Sequence, residues 1–181
     1  MTRSRLLLAL SVPALLLVAA CDSETATDGA GEVELGATVA TLLQGEDELS
    51  TTQGLIQNTG LAPVLDAAPS YTLLAPTNAA FEALDAPVDE GADGKAAAAA
   101  IMRAHLLPGY VTLADIEAAI DASDGDSVTM QTMAETPVTF TRDGDSVKVT
   151  SADGASATLA GAGVSGGNGV ILPIGGVLKT L

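Results

Sequence analysis

A single cysteine, Cys21, excludes a disulfide within the chain, so the fold must stand on its core alone. That core has few aromatics to draw on: there is no tryptophan, and tyrosine and phenylalanine number two each. Ala, Val, Leu and Ile must fill it, which is adequate at this length. Basic residues are scarce as well, seven against 23 acidic ones. A negative field of that size repels phosphate backbones and anionic headgroups, which excludes nucleic acid and anionic lipid as direct ligands of the folded part. It favours a cation or a basic partner, beside the simpler role of keeping an exposed protein in solution.

With one histidine, His105, and one cysteine, zinc has no ligand set, and no nucleophile–base–acid spacing is visible. Asp121, Asp124, Asp126, Asp143 and Asp145 lack the alternating ligands and terminal glutamate of a calcium loop; turn chemistry explains the Asp-Gly pairs. The glycine-rich stretch from Gly161 to Gly169 carries no lysine and opens no helix, so it reads as a hairpin connection rather than a phosphate cradle. No cofactor, metal or enzymatic activity is expected.

What is present begins at the first residues. Met1-Thr-Arg-Ser-Arg5 is basic, Leu6 to Ala20 is apolar except at Ser11 and Pro13, and small residues close the run. This is the layout of a secretory signal, too short for a membrane span. Leu17-Val-Ala-Ala-Cys21 resembles the bacterial lipobox, which implies cleavage before Cys21 and acylation of that cysteine. Two or three chains, with each buried methylene contributing about 0.8 kcal/mol, hold a protein on a membrane where one slips. Loss of residues 1–20 removes Arg3 and Arg5, leaving five basic side chains against 23 acidic ones, 18 net negative charges. Residues 21–33 read as a flexible acidic tether with nothing to bury, and 34–181 as one domain by size.

Within that domain the spacing predicts helices first and strands later, an α+β chain. Ser50-Thr-Thr-Gln53 has capping-box spacing ahead of Leu55 and Ile56, and Asn58-Thr-Gly60 stops that helix. Leu61, Val64 and Leu65 fall on one face of a second short helix. Tyr71–Leu74 reads as a buried strand, and Thr77 or Asn78 caps a helix carrying Phe81 and Leu84. An alanine-rich helix is predicted from Gly94 to Leu107, and Thr112-Leu-Ala-Asp115 opens another with Ile116 and Ile120 inward. Beyond Asp121 the period changes to two: Val128/Met130/Thr132, Val138/Phe140/Arg142 and Val147/Val149 alternate as antiparallel strands do. Asp143-Gly144, Asp153-Gly154 and Asn168-Gly169 are hairpin signals, and Val170–Leu178 closes the domain as a strand or strand pair.

Three stretches in this order resemble the fasciclin domain. Tyr71-Thr-Leu-Leu-Ala-Pro-Thr-Asn-Ala-Ala-Phe81 is similar to its first signature, with Ala75, Pro76, Thr77, Asn78 and Phe81 as the matching residues. Asn168-Gly-Val-Ile-Leu-Pro-Ile-Gly-Gly-Val-Leu178 is similar to the second, opening on Asn168 and Gly169. Between them, His105 in Ile101-Met-Arg-Ala-His-Leu-Leu-Pro-Gly109 fits the central helix. The resemblance implies a wedge of two β-sheets with helices packed around it, and a role in adhesion or surface and matrix interaction without catalysis.

The family's interaction residues do not carry over whole. The tyrosine preceding the helix histidine is Ala104 here, the aspartate before the final Asn-Gly is Gly163, and the usual His and Asp after it are Leu172 and Gly175. An integrin-type mechanism is not supported, and the family motif residues are expected to be structural, with a part in interaction as the other reading, and His105 is expected to pin its helix to the Ala75–Asn78 turn. The expectation is an extracytoplasmic cell-envelope protein, held to a membrane through lipidated Cys21. Its partners would be envelope or extracellular proteins or glycans. A small-ligand or cation-binding envelope protein is the alternative.

Overall fold

Two apolar runs that fail to alternate, Tyr71–Pro76 and Gly169–Ile174, lie side by side at the centre of the molecule. A strand reads as a continuous apolar run when both of its faces are covered. Here they are, because helices cover one face of the central sheet and a second sheet covers the other. The computed structural model describes residues 32–34, 36–67, 70–84, 92–124 and 126–179. The signal segment, Cys21 and the tether as far as residue 31 lie outside the described residues.

In chain order the elements are β1 (Glu32–Glu34), α1 (Val39–Leu42), α2 (Ser50–Thr59), α3 (Ala62–Ala67), β2 (Tyr71–Pro76), α4 (Asn78–Glu82) and α5 (Ala92–Ala104). There follow β3 (Leu106–Pro108), α6 (Leu113–Asp121), β4 (Ser127–Gln131), β5 (Pro137–Asp143), β6 (Ser146–Ser151), β7 (Ser156–Thr158), β8 (Val164–Gly166) and β9 (Gly169–Ile174). The central sheet has five strands in the order β1-β8-β9-β2-β3, and the second has four in the order β4-β5-β6-β7. Glu32 and Val33, read as the end of a tether, pair with Val164 and Ser165 of β8. Among the described residues no helix is long and apolar enough to cross a membrane.

The second sheet is the antiparallel meander that the alternation predicts: Val138, Phe140, Val147 and Val149 are buried, and their neighbours are more exposed. The central sheet differs from that expectation. β2 and β9 are parallel over six residue pairs, and β1 and β8 are also parallel. Parallel neighbours need long crossovers, and the 92 positions between residues 76 and 169 leave no local signature. The sheets meet at a seam where Leu159 bridges Ile174 and the Ala160 N–H donates to the Pro173 carbonyl at 2.8 Å.

Side-chain alternation along the central strands divides the interior in two. Leu73, Ala75, Leu106 and Ile171 face the helices, with Val39, Leu55, Ile56, Leu65, Ala98 and Met102. Leu74, Leu107, Val170, Leu172 and Ile174 face the second sheet and α6, with Phe140, Val149, Ile116 and Ile120. This corrects the end of the alanine-rich helix: α5 stops at Ala104, and Leu106 and Leu107 enter β3. A strand can send consecutive leucines into opposite cores, and a helical turn cannot.

α2 ends as its sequence predicts. Gly60 takes φ +73°, its N–H donates to Gln57, and the Leu61 N–H donates back to Ile56 at 3.1 Å. α6 opens with the predicted Thr112–Asp115 capping box. Leu61, just ahead of α3, and Leu65 within it are buried in the helical core, but Val64 is 38% exposed and does not join them.

Candidate functional site

The motif residues lie along the parallel pair β2 and β9, with Asn168 and Gly169 at the end beside Tyr71 and the Ala75–Phe81 stretch at the end beside Ile174, and each one's polar atoms go to the fold. The Thr77 hydroxyl caps α4 by accepting from the Ala80 N–H at 3.3 Å, while the Thr77 N–H donates to the Ile174 carbonyl at 3.0 Å. The Pro76 carbonyl accepts from the buried Thr52 hydroxyl at 2.7 Å, tying β2 to α2. Ala75 is fully buried and Phe81 packs half-buried against the helical core.

Asn78 supplies what the Ser50 box was expected to supply. Ser50 lies inside α2, Leu49 precedes it, and no side chain of the helix's own start caps it. Instead Asn78 Oδ1 accepts from the Thr51 N–H at 3.0 Å, and its Nδ2 donates to the Asp47 carbonyl at 2.9 Å. One amide thereby closes the α2 N-terminus from the neighbouring helix. Asn78→Ala is expected to cost about 0.5–2 kcal/mol, the usual range for a lost N-cap, seen as a lower urea midpoint at unchanged slope.

Asn168 does the same for the first part of the fold. Its Oδ1 accepts from the Val39 N–H and its Nδ2 donates to the Leu65 carbonyl, both at 2.8 Å. Gly169 follows because nothing larger fits: a Cβ there would stand 2.1 Å from the Tyr71 carbonyl oxygen and 2.7 Å from Val39 Cγ2.

His105 fills the corner between α5 and β3 and is completely buried. A carbonyl only accepts, so the 2.8 Å contact to Ile101 puts the proton on Nδ1. Nε2 then accepts from the Leu178 N–H at 2.9 Å. The ring therefore pins α5 to the C-terminal segment, not to the Ala75–Asn78 turn as expected; its backbone carbonyl takes the Leu74 N–H at 2.9 Å. Burial pushes its pKa down to about 4 despite the Ile101 bond, which raises it. A neutral, buried ring with both nitrogens engaged has no lone pair to offer a substrate or a metal.

The absent interaction residues also have a structural reason. Gly163 takes φ +77°, and a Cβ there would stand 2.2 Å from the Ile171 carbonyl oxygen, so this backbone admits no aspartate. Leu172 is buried in the second core. No three His, Cys, Asp or Glu side chains come together as a metal set among the described residues.

An open groove among the described residues lies elsewhere. A groove of about 410 Å³ runs between the last turns of α5 and the β4–β5 turn. Ala100, Ala104 and Met133 give it an apolar floor, and Arg103, Lys179 and Glu135 stand around it. A smaller recess of about 120 Å³ shares Ala104, Thr136 and Lys179 and continues it towards the β6–β7 turn. Sequence reasoning missed this site: its cations come from residues 103 and 179, with no local pattern to join them.

Known proteins resemble the chain at two levels. Residues 47–180 match the sequence model of the family described as Fasciclin domain. Protein sll1483 of Synechocystis sp. is 30% identical over 152 residues, spanning 82% of this chain and 73% of that one. The solved FAS1 domain pair of the insect cell adhesion molecule fasciclin I superposes with a TM-score of 0.68 at 18% identity, a likeness of fold. The superposition covers 81% of this chain and 52% of the insect one, so this chain spans about half of that domain pair.

Proposed function

The chain belongs to the fasciclin domain family, and from that premise we propose that it is a lipid-anchored cell-envelope protein mediating adhesion or surface interaction without catalysis. Fasciclin domains occur in extracellular and cell-surface proteins and serve adhesion and extracellular interaction. The observation that carries the non-catalytic reading is the engagement of His105. It is the chain's one histidine, and both ring nitrogens are bound to backbone inside the core.

Interaction then falls to the exposed loops. Tyr110, 42% exposed, is presented by a loop that the buried Thr72 hydroxyl latches, accepting from the Val111 N–H at 2.8 Å and donating towards the Gly109 carbonyl at 3.0 Å. Tyrosine is enriched at interfaces because it offers a large apolar body with a polar tip. The partner class is an envelope or extracellular protein or glycan. The anchor rests on Leu17–Cys21 and the signal layout ahead of it.

The test is intact mass and membrane partitioning of native protein against Cys21→Ser. The native chain is expected to begin at residue 21, carry a lipid-sized mass increment and sediment with membranes. The serine variant is expected to lose the increment and the association. A native chain still bearing residues 1–20, or unacylated and soluble, would remove the anchor from the proposal.

A further inference from the structure

Positive charge is the scarcest commodity on this surface, and where it collects is informative. Beyond residue 20 the chain has Lys95, Arg103, Arg142, Lys148 and Lys179 against 23 carboxylates. Arg142 is paired with Asp121 at 2.7 Å and with Glu117 at 3.7 Å. Among the described residues neither Arg103 nor Lys179 forms an ion pair, and both stand on one groove. Brought together from distant positions, they give it a positive rim that Glu135 only partly offsets. A cationic groove on a strongly anionic protein is selective in a particular way. The net charge argues against anionic ligands in general, and this groove is the local exception: one negative charge gains from two nearby cations, opposed by Glu135 and, in the adjoining recess beside Lys179, by Asp153.

The floor adds the second requirement. Ala100, Ala104 and Met133 are apolar, and methionine adapts its shape to an irregular guest. The volume, about 410 Å³, lies at the lower end of small-ligand sites. A volume of this order holds an acyl chain of roughly eight to ten carbons. We propose that the groove between α5 and the β4–β5 turn binds a free medium-chain carboxylate, its headgroup between Arg103 and Lys179 and its chain along Ala100, Ala104 and Met133. This is a small-ligand function beyond the adhesive reading, and it does not depend on the lipid anchor.

The probe is sodium octanoate titrated into the isotope-labelled protein at low salt, followed by amide chemical shifts, with 1-octanol as the uncharged control. Saturable shifts are expected at residues 100–104, 133–136 and 179, about tenfold weaker binding for octanol, and further weakening as salt is raised. Arg103→Gln with Lys179→Gln is expected to lower octanoate affinity at least tenfold. Ala100→Phe, a substitution on the exposed side of α5, is expected to abolish binding by filling the groove while the native spectrum persists elsewhere. Equal affinity for octanol, shifts centred elsewhere, undiminished binding in the double variant, or no saturation by millimolar octanoate would each overturn the site.

Discussion

Gly169→Ala is expected to lose about 4 kcal/mol or more, a large share of the roughly 5–15 kcal/mol that holds a domain of ordinary stability. The cause is a collision, since the backbone at Gly169 is not in the left-handed region that strains a side chain. The new methyl would stand 2.1 Å from the Tyr71 carbonyl oxygen, and both residues belong to the parallel pair at the centre of the fold. Neither strand yields without opening β2 from β9, and overpacking of this kind costs about 1–3 kcal/mol by itself. Asn168 moves with its neighbour, so its two bonds at 2.8 Å are strained as well. Each polar group left unmade in a part-buried place costs about 1–3 kcal/mol more. Gly144→Ala is the control. Gly144 has φ +62° in the β5–β6 turn and open space around it, so only the left-handed strain of about 1–2 kcal/mol applies. Urea unfolding of both variants decides the matter: similar losses would mean that the close approach at Gly169 is not what holds that glycine in place.

The features legible in the sequence are those whose causes are local. Val138 with Phe140, Val147 with Val149, and Ile116 with Ile120 announce their buried faces by spacing, and each is buried. The Thr112–Asp115 box closes within one turn of chain and forms as written. Misreadings arise where a distant partner overrides a local preference. Leu106 and Leu107 continue the apolar run of an alanine-rich helix, yet pairing with Leu73 and Thr72 of β2 draws them into a strand, with Pro108 already disfavouring helix at Leu107. Ser50 has the right spacing for a cap, but the amide that reaches the Thr51 N–H belongs to Asn78.

The same division runs through the site. The motif residues can be found in the sequence because the family resemblance marks them; the destinations of their hydrogen bonds cannot. Asn168 reaches back 129 positions to Val39, and His105 reaches forward 73 to Leu178. The groove had no motif at all, because its character depends on Arg103 and Lys179, two cations without an ion pair among the described residues, which only the folded chain brings together. A motif of this kind therefore identifies the scaffold and leaves the binding surface to be read from charge and shape.

His105 shows how far such an internal pin reaches, and its titration is expected to remove about 3 kcal/mol of stability between pH 6.5 and about 4. The folded pKa, about 4, lies below the ordinary value of 6.5 because burial opposes the charge. Protonation would also place an Nε2–H against the Leu178 N–H, two donors with no acceptor between them. Below pH 6.5 the unfolded chain takes up a proton that the folded chain refuses, so stability falls with pH and the loss levels off near pH 4. Carboxylates act oppositely over part of this range, since their protonation relieves mutual repulsion in a chain of net charge −16. The histidine contribution is therefore a difference between two proteins. His105→Gln keeps an acceptor for Leu178 and removes the titration. It should be less stable than the native domain at pH 7, with the gap narrowing by about 3 kcal/mol at pH 4. Because the chain has one histidine, its ring proton resonance reports the folded pKa directly and should move only near pH 4. A midpoint near 6.5, or a gap independent of pH, would show that the ring is solvated and that the C-terminal segment is held by something other than His105.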